Sequence, residues 1–173
     1  MRKTSNIYFY AISLFVVLST IPSIAATKWL PYQDTLKPQV SNSLHKPSLS
    51  PAIKISKPGD NLPKDISFFS GIWAGAICNG FSDVKIAVTE LTAEGASITY
   101  SLGNYTGSFN NQEYDADVLD GELAGQTKTG FKIILGKRTK DEHLNIKWLR
   151  GDDTQQSAST TPKICYGVLK REQ

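Results

Sequence analysis

The chain has 173 residues, of which 40% are apolar, 20% charged and 10% aromatic, with two cysteines and a formal net charge of +3. A chain of this length supports one modest soluble domain with flanking segments, which excludes a multidomain enzyme. The composition also excludes collagen-like, coiled-coil and disulfide-dense proteins.

Residues 1–26 have the pattern of a secretory signal peptide. Arg2 and Lys3 precede an apolar run from Ile7 to Leu18, and small residues end the segment. The run is shorter than the ~20 residues that a membrane-spanning helix needs, so we expect cleavage rather than anchoring. The sequence therefore predicts a periplasmic or secreted protein with no membrane span after cleavage, in a compartment where cysteines can pair.

Residues 27–64 have the composition of a flexible spacer. Six of the eight prolines fall here among Ser and Asn, a mixture that propagates neither helix nor sheet. Six lysines against Asp34 and Asp60 give this segment a charge of +4, whereas eleven basic and fourteen acidic residues give 65–173 a charge of −3. Because the lysines are spread singly among prolines, we interpret the segment as solvated and predict no nucleic-acid partner.

Residues 65–173 alternate between apolar and polar positions in short runs, which is typical of antiparallel strands with one buried face. In chain order, the pattern predicts strands at 69–78, 84–88, 97–102, 114–118, 131–135, 144–148 and 164–168. The region 103–130 is the least regular, and the polar stretch 151–162 is read as an exposed loop. In the last strand we expect Ile164, Tyr166 and Val168 to form the apolar face.

The number and order of these strands predict an all-β domain over 65–173. About eight short strands in hairpin order, with no helix to cover a sheet edge, favour a closed antiparallel up-and-down barrel. A β-sandwich is the alternative.

The motif Gly71-Ile-Trp73 resembles the Gly-x-Trp signature that opens the first strand of lipocalins and other calycin-type barrels. The resemblance implies a cup in which Trp73 plugs the closed end and Lys170 or Arg171 from the last strand packs across its ring. Such a cup holds a small apolar ligand or docks on a partner. The early Trp, Cys78 soon after it and the Pro-rich arm are also similar to small-barrel bacterial periplasmic inhibitors of metalloproteases, whose N-terminal arm enters the protease.

A disulfide between Cys78 and Cys165 is predicted. Both residues lie in a chain predicted to be exported, and no third cysteine competes. Antiparallel closure of an even-stranded barrel brings the end of the first strand beside the start of the last, where neighbouring positions share a face. The same register would set Lys170 opposite Trp73.

The sequence predicts no catalytic site, cofactor or metal. His45 lies in the spacer and His143 in a predicted turn, so neither is placed for a catalytic triad or a zinc site. The acidic stretch 113–122 fits neither a calcium loop nor a carboxylate pair for glycoside hydrolysis, and we interpret Asp115 and Asp117 as a solvated strand face. A carbohydrate-active enzyme is retained as a third hypothesis on this stretch alone.

Five aromatic residues are candidates for contact with a ligand or partner: Tyr100, Tyr105, Phe109, Tyr114 and Trp148. We assign Tyr100 and Trp148 to the core, and Tyr105 and Phe109, in a loop without a core role, to a mouth or contact surface. The sequence thus predicts an exported, monomeric, non-enzymatic barrel that binds a small apolar or amphipathic ligand or serves as an envelope accessory domain. The alternative is a protease inhibitor or other protein-binding module that uses the N-terminal arm.

Overall fold

Eight antiparallel strands form a closed barrel in the residues that the computed structural model describes, 34–150 and 164–172. A short helix, α1 (Lys64–Ser67), precedes the strands, which are β1 (Gly71–Ile77), β2 (Ser82–Leu91), β3 (Gly95–Gly103), β4 (Ser108–Leu119), β5 (Glu122–Gln126), β6 (Lys132–Lys137), β7 (Leu144–Leu149) and β8 (Ile164–Arg171). Each strand pairs with its neighbours in sequence, and β8 pairs with β1 to close the barrel. The predicted all-β up-and-down barrel is confirmed, and the β-sandwich alternative is excluded.

The two ends of the barrel carry different elements. We call the end with α1, the start of β1 and the β6–β7 turn the helix end. The opposite end, which has the β1–β2, β3–β4 and β5–β6 turns and the start of β8, is the far end. Antiparallel hairpins alternate between these ends, so every turn of the barrel belongs to one or the other.

Inward-facing side chains of the strands form one apolar core. On β2, β3, β6 and β7, the positions that the sequence assigns to the buried face belong to this core: Val84, Ile86, Val88, Ile98, Tyr100, Ile133, Leu135, Leu144, Ile146 and Trp148. Burial of one such side chain contributes ~1.5–3 kcal/mol, so the alternation fixes which face of each strand points inward.

The predicted apolar face of the last strand is wrong. Cys165 and Leu169 of β8 belong to the core, whereas Ile164 is 44% exposed. The strand is buried on both faces, since Val168 is only 1% exposed although it lies outside the core cluster. A strand covered on both sides carries no period-two signal, so alternation could not orient it.

A segment that we name the strap, residues 34–63, lies along the outside of the barrel. It starts at the helix end, where the Arg138 guanidinium donates a hydrogen bond of 2.8 Å to the Leu36 carbonyl. It then follows β8, where the Gln39 side-chain amide donates to the Tyr166 carbonyl at 3.3 Å. This first part of the strap therefore joins the two ends of the barrel across its outer surface.

The strap crosses the far end and returns along β2 and β3. Beyond the crossing, the Ser101 hydroxyl donates to the Ser48 carbonyl at 2.7 Å. Further on, the Ser56 amide donates to the Thr89 carbonyl at 2.8 Å. Ser101 faces outward yet has no exposed surface, which is consistent with cover by the strap.

Limited proteolysis tests the strap against the prediction of a flexible spacer. Because the strap's backbone is hydrogen-bonded to the barrel at successive points, we expect a resistant fragment that begins before residue 40, as measured by intact mass. A fragment that begins near Asp65 and keeps the thermal transition of the intact chain would instead support the flexible spacer. The comparison is informative because exposed backbone without such bonds is where proteases cut first.

Candidate functional site

Trp73 fills the helix end of the barrel. Its ring has no exposed surface, and its Nε1 donates a hydrogen bond of 2.9 Å to the Phe69 carbonyl. The Arg171 guanidinium carbon lies 4.1 Å from the ring centroid of Trp73, and Arg171 also donates to the Phe68 carbonyl at 2.6 Å. The arrangement closes this end with a buried ring beneath a cation that is itself held by backbone carbonyls.

The local backbone geometry explains why the first residue of the Gly-x-Trp motif is glycine. Gly71 has a φ of +118°, and a Cβ atom there would lie 2.6 Å from Nη1 of Arg171. A larger residue at this position would be strained and would displace the guanidinium from Trp73. The absence of a side chain at Gly71 therefore leaves the space that the Arg171 guanidinium occupies over the Trp73 ring.

The predicted register of β1 against β8 was wrong by one residue. Trp73 pairs with Arg171 and Lys170 pairs with Ala74, so Lys170 does not lie opposite the Trp ring. The prediction placed Cys78 directly opposite Cys165 in the ladder, but β1 ends one residue before Cys78. The register predicted from the sequence favoured Lys170 over Arg171, and the observed register places Arg171 opposite Trp73 instead.

Cys78 and Cys165 are nevertheless joined by a disulfide at the far end, with their Cα atoms 4.6 Å apart. Cys78 has a φ of 55°, in the left-handed region, and its amide donates to the Tyr166 carbonyl at 3.2 Å. The turn after β1 thus changes the direction of the Cys78 side chain, and the predicted pairing is confirmed.

Four aromatic side chains line the interior near the far end, and we name them the aromatic row: Phe131, Trp148, Tyr100 and Tyr114. The ring centroids of Phe131 and Trp148 are 5.7 Å apart, those of Trp148 and Tyr100 are 5.3 Å apart, and those of Tyr100 and Tyr114 are 5.8 Å apart. Tyr100, Tyr114 and Trp148 are only 4–6% exposed. Three of the predicted contact residues therefore form one continuous group within the barrel.

The two tyrosine hydroxyls of the aromatic row differ in hydrogen bonding. Burial raises the pKa of the Tyr100 hydroxyl, and interaction with the side chains of Thr127 and Thr129 in the β5–β6 turn opposes this effect. The buried Tyr114 hydroxyl has no hydrogen-bond partner among the described residues, and burial raises its pKa. A buried hydroxyl without a partner costs roughly 1–3 kcal/mol, so its position calls for an explanation.

The part of β4 beside the aromatic row has no paired strand on one side. Gln112 pairs with Tyr100 and Phe109 pairs with Leu102, so both side chains are on the inward face of β4. Both are nevertheless exposed, Phe109 to 59%. The reason is that β5 pairs with β4 only over Ala116–Leu119, which leaves the first half of β4 without a neighbour on that side. We call this unpaired far-end part of β4, with the exposed side chains of Phe109 and Gln112, the mouth.

The remaining predicted contact residue lies outside the mouth, in a loop at the far end. Tyr105, in the β3–β4 loop, is 42% exposed, and its ring centroid lies 5.4 Å from that of Phe81 in the β1–β2 turn. Phe81 lies outside the mouth, whereas Gln112 and Phe131 lie at or beside it and were not identified from the sequence as contact candidates. No signal in the sequence shows how far β5 extends beside β4, and that length decides which side chains border the mouth.

The acidic residues and histidines that the sequence analysis singled out lie in different parts of the barrel. Asp115 and Asp117 are exposed on β4. Burial, followed by the nearby Asp120 carboxylate, raises the pKa of Glu122 to about 7. His143 Nδ1 lies 2.9 Å from the Asp141 carboxylate. Within the described residues, no group of His, Cys, Asp and Glu side chains is arranged to hold a metal ion.

Comparison with protein-family models, curated proteins and solved structures finds no match for this chain. Within residues 34–150 and 164–172, no helix is long and apolar enough to cross a membrane. The fold and the site define a small, disulfide-bonded up-and-down β-barrel that is plugged by Trp73 at one end and has a mouth at the other.

Proposed function

We propose that the protein is an exported, non-enzymatic barrel that binds a small amphipathic ligand at the mouth. The observation that carries this proposal is the buried Tyr114 hydroxyl without a partner. It lies at the inner end of the aromatic row, on a strand whose outer half borders the mouth. A ligand that hydrogen-bonds to this hydroxyl would recover the free energy that its burial costs.

The lining of the mouth defines the chemistry of the ligand. The rings of Phe131, Trp148 and Tyr100 lie behind the mouth in the core and would offer apolar faces and edges to a ligand, which favours a flat apolar body. Tyr114 offers a single hydroxyl, and Gln112 adds an exposed amide at the outer edge. A flat molecule with one polar group directed inward fits these features, because pockets combine an apolar lining with a few placed polar groups.

The plug at the helix end supports a calycin-like plan for this binding. In the resemblance noted above, a basic residue of the last strand covers the Trp of the Gly-x-Trp motif, and Arg171 has that position over Trp73. The mouth lies at the opposite end of the barrel, where such cups take their ligands. The inhibitor hypothesis needs a free N-terminal arm, and the contacts of residues 34–63 with the barrel leave only the residues before 34, outside the described part, for that role.

The variant Tyr114→Phe tests the ligand proposal through two effects of opposite sign. Removing the unpaired hydroxyl should raise the free energy of unfolding of the ligand-free protein by about 1 kcal/mol. The same change should weaken binding of the fluorescent amphipath 8-anilinonaphthalene-1-sulfonate by roughly threefold to tenfold, the effect of one lost hydrogen bond. Urea unfolding and fluorescence titration measure the two quantities.

Two matched variants separate the mouth from other surfaces. Tyr100→Phe removes a hydroxyl that interacts with the side chains of Thr127 and Thr129, so it should lower the free energy of unfolding instead. Phe81→Ser changes an exposed ring outside the mouth and should leave the dissociation constant of the dye unchanged. Unchanged dye binding in Tyr114→Phe, or destabilisation of its ligand-free form, would show that the hydroxyl is not part of a ligand site.

A further inference from the structure

We propose that the far end of the barrel docks on the surface of an anionic lipid bilayer. This inference does not depend on the ligand proposal. The exposed large apolar side chains of the described residues are distributed unequally between the two ends. Those at the far end are Val40, Leu44, Phe81, Tyr105, Phe109 and Ile164, whereas only Leu119 lies at the helix end.

These side chains are held out by a fixed scaffold. Where the strap crosses the far end, the Asn42 amide donates to the Gly80 carbonyl at 2.9 Å and the His45 amide donates to the Asn104 carbonyl at 3.1 Å. A Cβ atom at Gly80 would lie 2.2 Å from the Val40 carbonyl oxygen, so the strap and the β1–β2 turn fit only with glycine there. The exposure of the apolar tips is therefore a property of the folded barrel.

The disulfide ties the same end together. Cys78 begins the turn that carries Phe81, and Cys165 follows Ile164 at the start of β8. Phe81, in turn, contacts Tyr105 of the next hairpin through a ring-centroid distance of 5.4 Å. Apolar side chains on a scaffold crosslinked in this way remain exposed to water at a cost in free energy, and such surfaces mark interaction sites.

The charges of the described residues at the far end complement an anionic surface. Lys128, Lys132 and Arg150 lie in or beside its turns, and none of them is in an ion pair within the described residues. Of the strand carboxylates at this end, Asp83 is paired with a cation, Lys46, at 2.6 Å, which leaves Glu113 on β4.

The helix end carries several carboxylates, and two of its cations are paired with them. Lys137 is 2.6 Å from the Asp65 carboxylate, and Arg138 Nε is 3.0 Å from that of Asp141. Glu94, Asp120 and Glu142 also lie in the helix-end turns, whereas the described turns of the far end, 78–81, 104–107 and 127–131, contain no carboxylate. Within the described residues, the end with the apolar tips is therefore the more basic of the two. Basic side chains around exposed aromatic and aliphatic residues are the combination that anchors proteins at the lipid headgroup layer.

The arrangement of the tips favours a lipid surface over a protein partner. Val40 and Leu44 are 82% and 74% exposed, and together with Phe81 and Tyr105 they project from three separate segments. The core of a protein interface is a close-packed patch, whereas a fluid headgroup layer accepts separate side chains at one level. The end of the barrel, rather than its side, is then the contact surface.

Vesicle binding tests the proposal. The chain is purified after export, with its N-terminus established by intact mass, and sedimented with vesicles of phosphatidylcholine alone or with 30% phosphatidylglycerol. We expect binding to the anionic vesicles that weakens at high salt. The double variant Phe81→Ser/Tyr105→Ser should weaken it at least tenfold, because two ring contacts with the apolar layer are lost.

Matched variants identify which end of the barrel binds. Leu119→Ser removes an exposed apolar side chain from the helix end, so the vesicle affinity should not change. Lys128→Gln/Lys132→Gln should weaken binding to anionic vesicles roughly tenfold while leaving binding to neutral vesicles unchanged. Tyr114→Phe should leave both unchanged, so that failure of this proposal and failure of the ligand proposal are distinguished.

Three results would overturn the proposal. They are an absence of binding to anionic vesicles, an equal effect of Leu119→Ser and Phe81→Ser/Tyr105→Ser, and self-association of the chain without vesicles that the double variant abolishes. The last result would assign the far end to a protein interface. Because all comparisons are made in the same chain, any contribution from its N-terminus cancels between variants.

Discussion

We expect Trp73→Ala to lower the free energy of unfolding by about 3–5 kcal/mol, the usual cost of replacing a buried Trp by Ala. Trp73 has no exposed surface and is the largest fully buried side chain among the described residues. Its removal leaves a cavity beneath Arg171 and takes the hydrogen-bond donor from the Phe69 carbonyl. Urea unfolding followed by far-UV circular dichroism measures the change.

The conservative variant Trp73→Phe is the control for this prediction. This variant keeps an aromatic ring beneath the guanidinium but removes the indole donor. Its free energy of unfolding should therefore fall clearly less than that of Trp73→Ala. A loss below about 1 kcal/mol for the Ala variant would mean that Trp73 is not the plug of the barrel. The comparison to calycin-type barrels, which depends on that plug, would then have no support.

The sequence predicted most strands of the barrel because alternation of apolar and polar residues determines which face of a strand is buried. Along β3, Ile98 and Tyr100 alternate with polar residues, and the structure places them in the core as the alternation requires. The signal is strong where one face meets the core and the other meets water. It fails on β8, where Leu169 on the inner face and Val168 on the outer face are both buried.

The contacts of the strap could not be predicted from composition. Proline and serine exclude regular secondary structure in residues 34–63, but they leave each amide and carbonyl available to the barrel. The bonds from Ser101 to Ser48 and from Ser56 to Thr89 depend on outward-facing partners that are far away in sequence. The composition of a segment shows that helix and strand are unfavourable there. Contacts with the rest of the protein then determine which irregular conformation the segment adopts.

The sequence predicted only part of the candidate site, because some of its features depend on tertiary contacts. Tyr100, Tyr114 and Trp148 were identified as aromatic candidates, and pairing in the barrel brings them together. The unpaired Tyr114 hydroxyl and the short pairing of β4 with β5 have no counterpart in the sequence. Hydrogen bonding of a single buried atom depends on all the strands around it, so no local pattern encodes it.

Removal of the Cys78–Cys165 disulfide is the other change with a large expected effect. The two residues are 87 positions apart, and on the chain-entropy model a crosslink of this span stabilises the folded state by about 4–5 kcal/mol, less any strain. We therefore expect Cys78→Ser/Cys165→Ser to lose most of that amount in urea unfolding. This is a large share of the ~5–15 kcal/mol that stabilises a typical domain.

The state of the two cysteines can be established before any variant is made. Alkylation of the denatured chain without reductant should add no alkyl group to the intact mass, because the structure has no free cysteine. Addition of two groups would refute the bond. Because the bond joins the end of β1 to the start of β8, its loss also removes the covalent link across the pair that closes the barrel. A double variant that kept the stability of the parent chain would therefore show that hydrogen bonding and packing between β1 and β8 suffice for closure.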